Sequence, residues 1–111
     1  MTGRHEHRVR DFYHDAYYSA FFVARFALVS ANGYDCSIHR EIRGALIQHF
    51  TGQGQAALAQ ETKSKLEALE DRRNVADYVF SGARLGALAA GDMIRTTNAD
   101  VQELFTAWNI P

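Results

Sequence analysis

The sequence has a single cysteine and a single proline in 111 residues. Cys36 has no second thiol to pair with, so no intrachain disulfide staples this fold. Pro111 is the last residue, and nothing upstream of it removes a helical N–H donor. Strictly alternating runs of β-branched residues are missing, which leaves no strand signal. No apolar run approaches the roughly 18 residues that a membrane span needs. The best candidate, Phe21 to Ser30, is broken by Arg25. Met1-Thr2-Gly3-Arg4-His5 leads into no apolar signal segment. These absences predict an all-α protein that is soluble and cytoplasmic, with no membrane partner.

Lysine is scarce too. Of 12 basic residues, only Lys63 and Lys65 are not arginine. Against 13 acids the formal net charge is −1. That balance excludes a general, backbone-driven nucleic-acid binder, which would be strongly basic, but leaves room for a local arginine site. The stretch Arg4, His5, His7, Arg8 and Arg10 is a minor basic feature, and residues 1–8 are expected to form a mobile arm. Hydrophobic residues make up 47% and charged residues 23%, an ordinary globular balance. A chain of this length can bury a core unaided, so residues 1–111 are expected to form one domain. A Gly-rich phosphate loop, a Ser-His-Asp set and paired catalytic carboxylates are all missing. Neither His5-x-His7 nor His14 has the several neighbouring ligands of a zinc site, so no metal and no cofactor are expected.

The apolar period predicts four to five helices in an up-and-down bundle. Phe12, Ala16, Ala20, Val23 and Ala27 place a first helix over Val9 to Asn32, closed by Asn32-Gly33 as a C-cap. Ser37 is an N-cap candidate for a second helix reaching about Phe50. Thr51-Gly52-Gln53-Gly54 reads as a turn. A third helix is expected over Gln55 to Phe80, with a break at Ser81-Gly82. Ala83 to Thr96 is rich in Ala and Gly and suited to close packing. Thr97-Asn98 reads as the N-cap of a short last helix ending at Trp108. Glu61, Lys65, Glu67, Glu70, Asp71 and Arg72 read as a solvated face of the third helix.

Two features rise above this pattern. The first is the aromatic cluster Phe12, Tyr13, Tyr17, Tyr18, Phe21, Phe22 and Phe26, too wide for the single apolar stripe of a surface helix. It predicts a helix buried partly by its own chain and partly by a second copy, with Ala16, Ser19, Ala20 and Ala24 permitting close approach. The second is Arg73-Asn74-Val75-Ala76-Asp77-Tyr78. Residues four apart share a helical face, so Arg73 lies under Asp77 and Asn74 under Tyr78. A plain surface ion pair needs only Arg73 and Asp77. The added amide and phenol suggest either a structural network or a ligand site.

Three segments together resemble the HEPN family (higher eukaryotes and prokaryotes nucleotide-binding domain), in its small stand-alone prokaryotic branch. Asp15-Ala16-Tyr17-Tyr18-Ser19-Ala20-Phe21-Phe22-Val23-Ala24-Arg25 is similar to the family's Ala-Tyr-Tyr-Ala-Ala-Phe-Tyr-Ala-Ala-Arg helix. His39-Arg40-Glu41-Ile42-Arg43 with Gln48-His49-Phe50 resembles the branch's His-x-x-Val-Arg helix ending in His-Phe. Arg73 to Tyr78 matches its Arg-x-x-Ala-Asp-Tyr signature. The resemblance implies an up-and-down helical bundle, usually a homodimer, with the arginine motifs of two copies brought together. Family members are metal-independent ribonuclease toxins, partners of small nucleotidyltransferases, or non-catalytic binding modules. Two departures stand out. The family usually has a helix before the Ala-Tyr-Tyr segment, and only about fourteen residues precede it here. The ribonucleases also carry a histidine about five residues after the arginine, where this chain has Tyr78.

That substitution shapes the expected chemistry. Metal-free RNA cleavage needs a base for the 2′-hydroxyl and an acid for the leaving oxygen. Histidine, with a pKa of about 6.5, suits both roles; aspartate at about 3.9 and tyrosine at about 10 do not. Losing such a group typically slows the reaction about 10²- to 10⁴-fold. The sequence therefore favours a non-catalytic module that binds RNA, a nucleotide or a partner such as a nucleotidyltransferase or antitoxin. In that reading Arg73 is the anchor, Asn74 its polar neighbour, and Asp77 and Tyr78 the orienting groups. His39 and Arg43, four residues apart, are placed to flank an anion. The alternatives are a ribonuclease using Arg73 with His39 or Tyr78, and a purely structural dimerisation domain. His49 reads as a packing residue beside Phe50.

Overall fold

The computed structural model describes residues 3–78 and 82–108, with side chains over 7–77 and 86–108. Five helices follow one another: α1 (Gly3–Asn32), α2 (His39–Gly52), α3 (Ala56–Tyr78), α4 (Gly82–Ala89) and α5 (Gly91–Ala107). Among the described residues there is no strand, and the all-α helical bundle is as the sequence predicts. None of these helices is long and apolar enough to cross a membrane. At 1.5 Å per residue, a helix of 30 residues is about 45 Å long. That length accounts for the 46 Å long axis of the molecule.

α1 starts at Gly3, six positions before the expected Val9. Its first turns are pinned from the far end of the chain. Arg10 Nε donates to the Ala76 carbonyl at 2.9 Å and Tyr13 donates to the Leu88 carbonyl. Around these bonds Val9, Tyr13, Ala76 and Leu88 form a small second core. The main core lies between α1, α2, α3 and α5. It holds Tyr17, Ala20, Phe21, Ala24 and Leu28 against Ile42, Leu46 and Phe50, with Ala59, Leu66, Leu69, Leu104 and Trp108 closing it. Trp108 donates its indole N–H to Thr62 at 3.1 Å inside the protein.

The expected close approach by small residues is realised within the chain itself. Ala20 and Ala24 are fully buried in its own core, while Ser19 faces outward. The wide aromatic cluster divides, with Phe12 half-buried beside the second core. Tyr13, Tyr17 and Phe21 point inward, and Tyr18, Phe22 and Phe26 are exposed.

Helix ends agree with the sequence where glycine sets them and differ where hydroxyls were expected to. Gly33 and Gly54 both adopt φ of 76°, a left-handed conformation that glycine takes without steric cost. Gly33 N–H closes α1 on the Val29 carbonyl at 2.9 Å. Ser37 does not cap α2. Ile38 takes the N-cap position in extended conformation, with no side-chain hydrogen bond. Thr97-Asn98 starts no helix either, because α5 already begins at Gly91. The Thr97 hydroxyl is buried and bonds back to the Met93 carbonyl at 2.9 Å, while accepting from Arg72 at 3.1 Å. Such i−4 back-bonding is the alternative use of a threonine hydroxyl inside a helix. The expected break at Ser81 lies outside the described residues.

Leu66 is completely buried on α3. Leu66→Ala is expected to lower unfolding stability by about 2–5 kcal/mol, since a buried Leu→Ala loses transfer energy and leaves a cavity. Urea denaturation followed by Trp108 fluorescence checks this, with the exposed Gln48→Ala remaining within about 0.5 kcal/mol of the parent.

Candidate functional site

Tyr17 stands where α1, α2 and α3 meet. Its place on the inner face follows from the four-residue spacing of Tyr13, Tyr17 and Phe21. The residue is buried to 3% exposure. From α3, the Arg73 guanidinium lies over its ring, with Cζ 4.5 Å from the centroid. From α2, His39 Nδ1 meets its hydroxyl at 2.6 Å. The imidazole stacks on Phe21 on its other side, with centroids 4.5 Å apart and planes within 15°. One phenol thus receives a cation on its face and an imidazole on its oxygen.

Arg73 and Asp77 share a face as their spacing predicts. Their closest approach is 3.5 Å, between Nη1 and Oδ2. This is a loose pair beside its neighbours. Arg43 reaches Glu70 at 2.8 Å, and Arg72 reaches Asp100 at 2.7 Å. Arg73 Nε is buried and has no hydrogen-bond partner. An i,i+4 pair is worth about 0.3–0.5 kcal/mol. A cation over an aromatic face gains about 0.5–1 kcal/mol when exposed and 2 or more when desolvated. The Arg73 side chain is only 17% exposed, so the Tyr17 ring holds it more firmly than Asp77 does.

The surroundings bias both the imidazole and the phenol toward their neutral forms. Burial pushes the pKa of His39 down, and the Arg73 charge pushes the same way against the opposing pull of Glu70. Tyr17 is raised, first by burial and then by Glu70, with Arg73 opposing. Arg73 is held above its ordinary value even though burial acts to lower it, because Tyr17, Tyr18 and Asp77 all favour its charged form.

Of the residues singled out in the sequence, Arg73, Asp77 and His39 come together around Tyr17. The absence of a histidine shortly after Arg73 does not leave the arginine cluster without an imidazole. His39 opens α2 and reaches the ring that Arg73 covers. Arg43 is on the same side of α2, but its guanidinium is taken by Glu70 and does not pair with His39 around an open anion site. Asn74 is partly buried on α3. Tyr78 ends α3, and its side chain lies outside the described residues. His49 is half-buried and packs edge-on against Phe50 at 5.6 Å, as expected, away from this cluster. Among the described residues no three His, Cys, Asp or Glu side chains group to hold a metal ion.

Two members lie outside the predicted site: the sequence places Tyr17 only in the wide aromatic cluster of the first helix, and Glu70 on a solvated face. Glu70 instead meets Arg43 across the α2–α3 seam, and Arg72 is drawn inward by Asp100 and Thr97. The spacing Leu66, Glu70, Arg73, Asp77 was the available signal, since it continues one buried face of α3 into its polar end.

Proton-detected titration of the His39 ring is expected to give a pKa below the usual 6.5 or so. Arg73→Gln should move it up, and Glu70→Gln further down, matching the sign each charge contributes. Because the folded value is depressed, the unfolded chain binds more protons between that value and about 6.5. This group's contribution to stability therefore rises with pH through that window and is lost on acidification below it. Comparison with protein-family models, curated proteins and solved structures gives no match, and the reading of the site rests on this geometry.

Proposed function

We propose that this chain is a non-catalytic binding module that grips a single phosphate of RNA or a nucleotide through Arg73. The observation that carries this reading is the incomplete pairing of Arg73. Arg43 and Arg72 are satisfied by short ion pairs at 2.8 and 2.7 Å. Arg73 has one carboxylate at 3.5 Å and a buried Nε with no partner. Nearly every buried polar group in a folded protein finds a partner, so an exception calls for a reason. The guanidinium rests on the Tyr17 ring and interacts with its hydroxyl, and because Nε is enclosed, an incoming anion would meet its Nη groups. A phosphate or carboxylate accepted there makes charge-assisted bonds worth about 1.5–3 kcal/mol, more than the loose Asp77 contact it displaces. The similarity of the Arg73–Tyr78 stretch to the HEPN signature supports a nucleotide-bearing ligand.

Charge sets the scale of that binding. Glu70 and Asp77 offset Arg43 and Arg73, and the pKa of His39 is shifted down. Such a cluster suits one phosphate and not a polyanion track. Binding of a fluorescent single-stranded RNA should therefore weaken with salt along a slope of about −0.7, the value for one phosphate contact. Arg73→Gln is expected to abolish it. A steep slope, or binding undiminished in Arg73→Gln, would contradict this site.

One observation favours a second reading. The 2.6 Å contact between His39 and Tyr17 places a neutral imidazole, a competent base, in the arginine cluster. A metal-independent ribonuclease would use it. Incubation of labelled RNA with the protein in EDTA separates the two. The binding module leaves the RNA intact, whereas a ribonuclease cuts it and loses that activity in both His39→Asn and Arg73→Gln.

A further inference from the structure

A hollow of about 260 Å³ lies where the start of α1 passes the corner between α4 and α5. Val9, Phe12 and Tyr13 line it from α1, Ala89 and Ile94 from the corner, and Arg8 is the charged residue among its lining side chains. The sequence explains the space. The corner is built from Ala89, Ala90 and Gly91, whose side chains are a methyl group or less and cannot fill it. The floor is fixed. Val9 and Tyr13 are buried in the second core, and Tyr13 is tied to the Leu88 carbonyl.

We infer that this hollow is a binding site for a small aromatic monocarboxylate, its ring seated against Phe12 and Tyr13 and its carboxylate held by Arg8. The inference is independent of the phosphate reading, which uses Arg73. Size, ring geometry and charge each support it.

Ligand pockets are mostly apolar, hold a few polar groups and measure about 300–1,000 Å³. At about 260 Å³ this hollow falls just below that range and suits a small ligand. An apolar cavity of about 150 Å³ accepts benzene, which leaves room here for a short acidic tail. The two aromatic walls select a planar ring. Phe12 and Tyr13 stand 4.9 Å apart with their planes at 84°. A ring entering that corner meets the face of one and the edge of the other, the arrangements that aromatic pairs favour. An alkyl chain gains the burial without this geometry.

Charge fixes the other end of the ligand. No ion pair or hydrogen bond engages the Arg8 side chain among the described residues. Arg10, two residues on, donates to the Ala76 carbonyl at 2.9 Å. Asp92, the acid in the first turn of α5, is held by Arg95. A guanidinium offers a planar fork that matches a carboxylate. One cation at the rim of an apolar hollow calls for one negative charge on an apolar body.

Isothermal titration calorimetry of the full chain with phenylpropionate and with phenylpropionamide tests this. For a ligand of this size a dissociation constant on the order of 100 µM is expected for the acid. The amide should bind about 10-fold more weakly, and Arg8→Gln should weaken the acid about 10-fold while leaving the amide unchanged. Arg8 is exposed, so the circular dichroism of Arg8→Gln should match the parent. The Ile94 methyl resonances should shift on binding, and Arg73→Gln should bind the acid as the parent does. No binding up to about 5 mM, equal affinity for acid and amide, or a loss in Arg73→Gln with none in Arg8→Gln would overturn the site. Tighter binding of cyclohexylpropionate, equal in charge and more apolar, would overturn the aromatic assignment.

Discussion

The contact between the Arg73 guanidinium and the Tyr17 ring organises the polar end of this bundle. Tyr17 is buried at the meeting of three helices, and a phenol in that position must satisfy its hydroxyl and pack its ring. His39 meets the hydroxyl and Arg73 covers the face. Each partner comes from a different helix, so one side chain fixes α1 against both α2 and α3. The arrangement also divides labour among the arginines. Arg43 and Arg72 are spent on carboxylates, whereas Arg73 is held by a ring and keeps donor capacity.

Burial and the neighbouring Arg73 charge set the state of the imidazole that meets this tyrosine. A His39 near ordinary solvent would be partly charged at neutral pH. Burial and the Arg73 charge both disfavour the imidazolium. The result is a ring biased toward its neutral form, wedged between a phenol and Phe21. Such a ring accepts or donates one proton-sharing bond without adding a third positive charge. The balance of two arginines against Glu70 and Asp77 is thereby preserved.

Much of this is legible in the amino-acid sequence. Helix formation followed from the absence of proline and of strand signals, and the ends at Gly33 and Gly54 followed from residues that accept a left-handed turn. Arg73 and Asp77 were legible because i,i+4 spacing is a local property. Tyr17 beneath Arg73 was not, because that contact joins distant parts of the sequence and depends on how α1 and α3 pack. Glu70 was lost among neighbouring charges, since a helical face is known to be buried only once its neighbour is in place. Ser37 and Thr97 misled for a shared reason: a hydroxyl that can cap a helix can also remain in solvent or bond back within one. The outward aromatics of α1 were visible as an excess. The fold shows which of them the core leaves over: Tyr18, Phe22 and Phe26 are the ones that remain exposed.

Tyr17 and Arg73 are expected to be energetically coupled across the α1–α3 seam. A double-mutant cycle with Tyr17→Leu and Arg73→Met, read by urea unfolding at one protein concentration, measures that coupling directly. A largely desolvated cation–aromatic pair predicts a coupling of about 1–2 kcal/mol. Changes that simply add, to within about 0.3 kcal/mol, would show that the ring does not hold the arginine and would contradict the account.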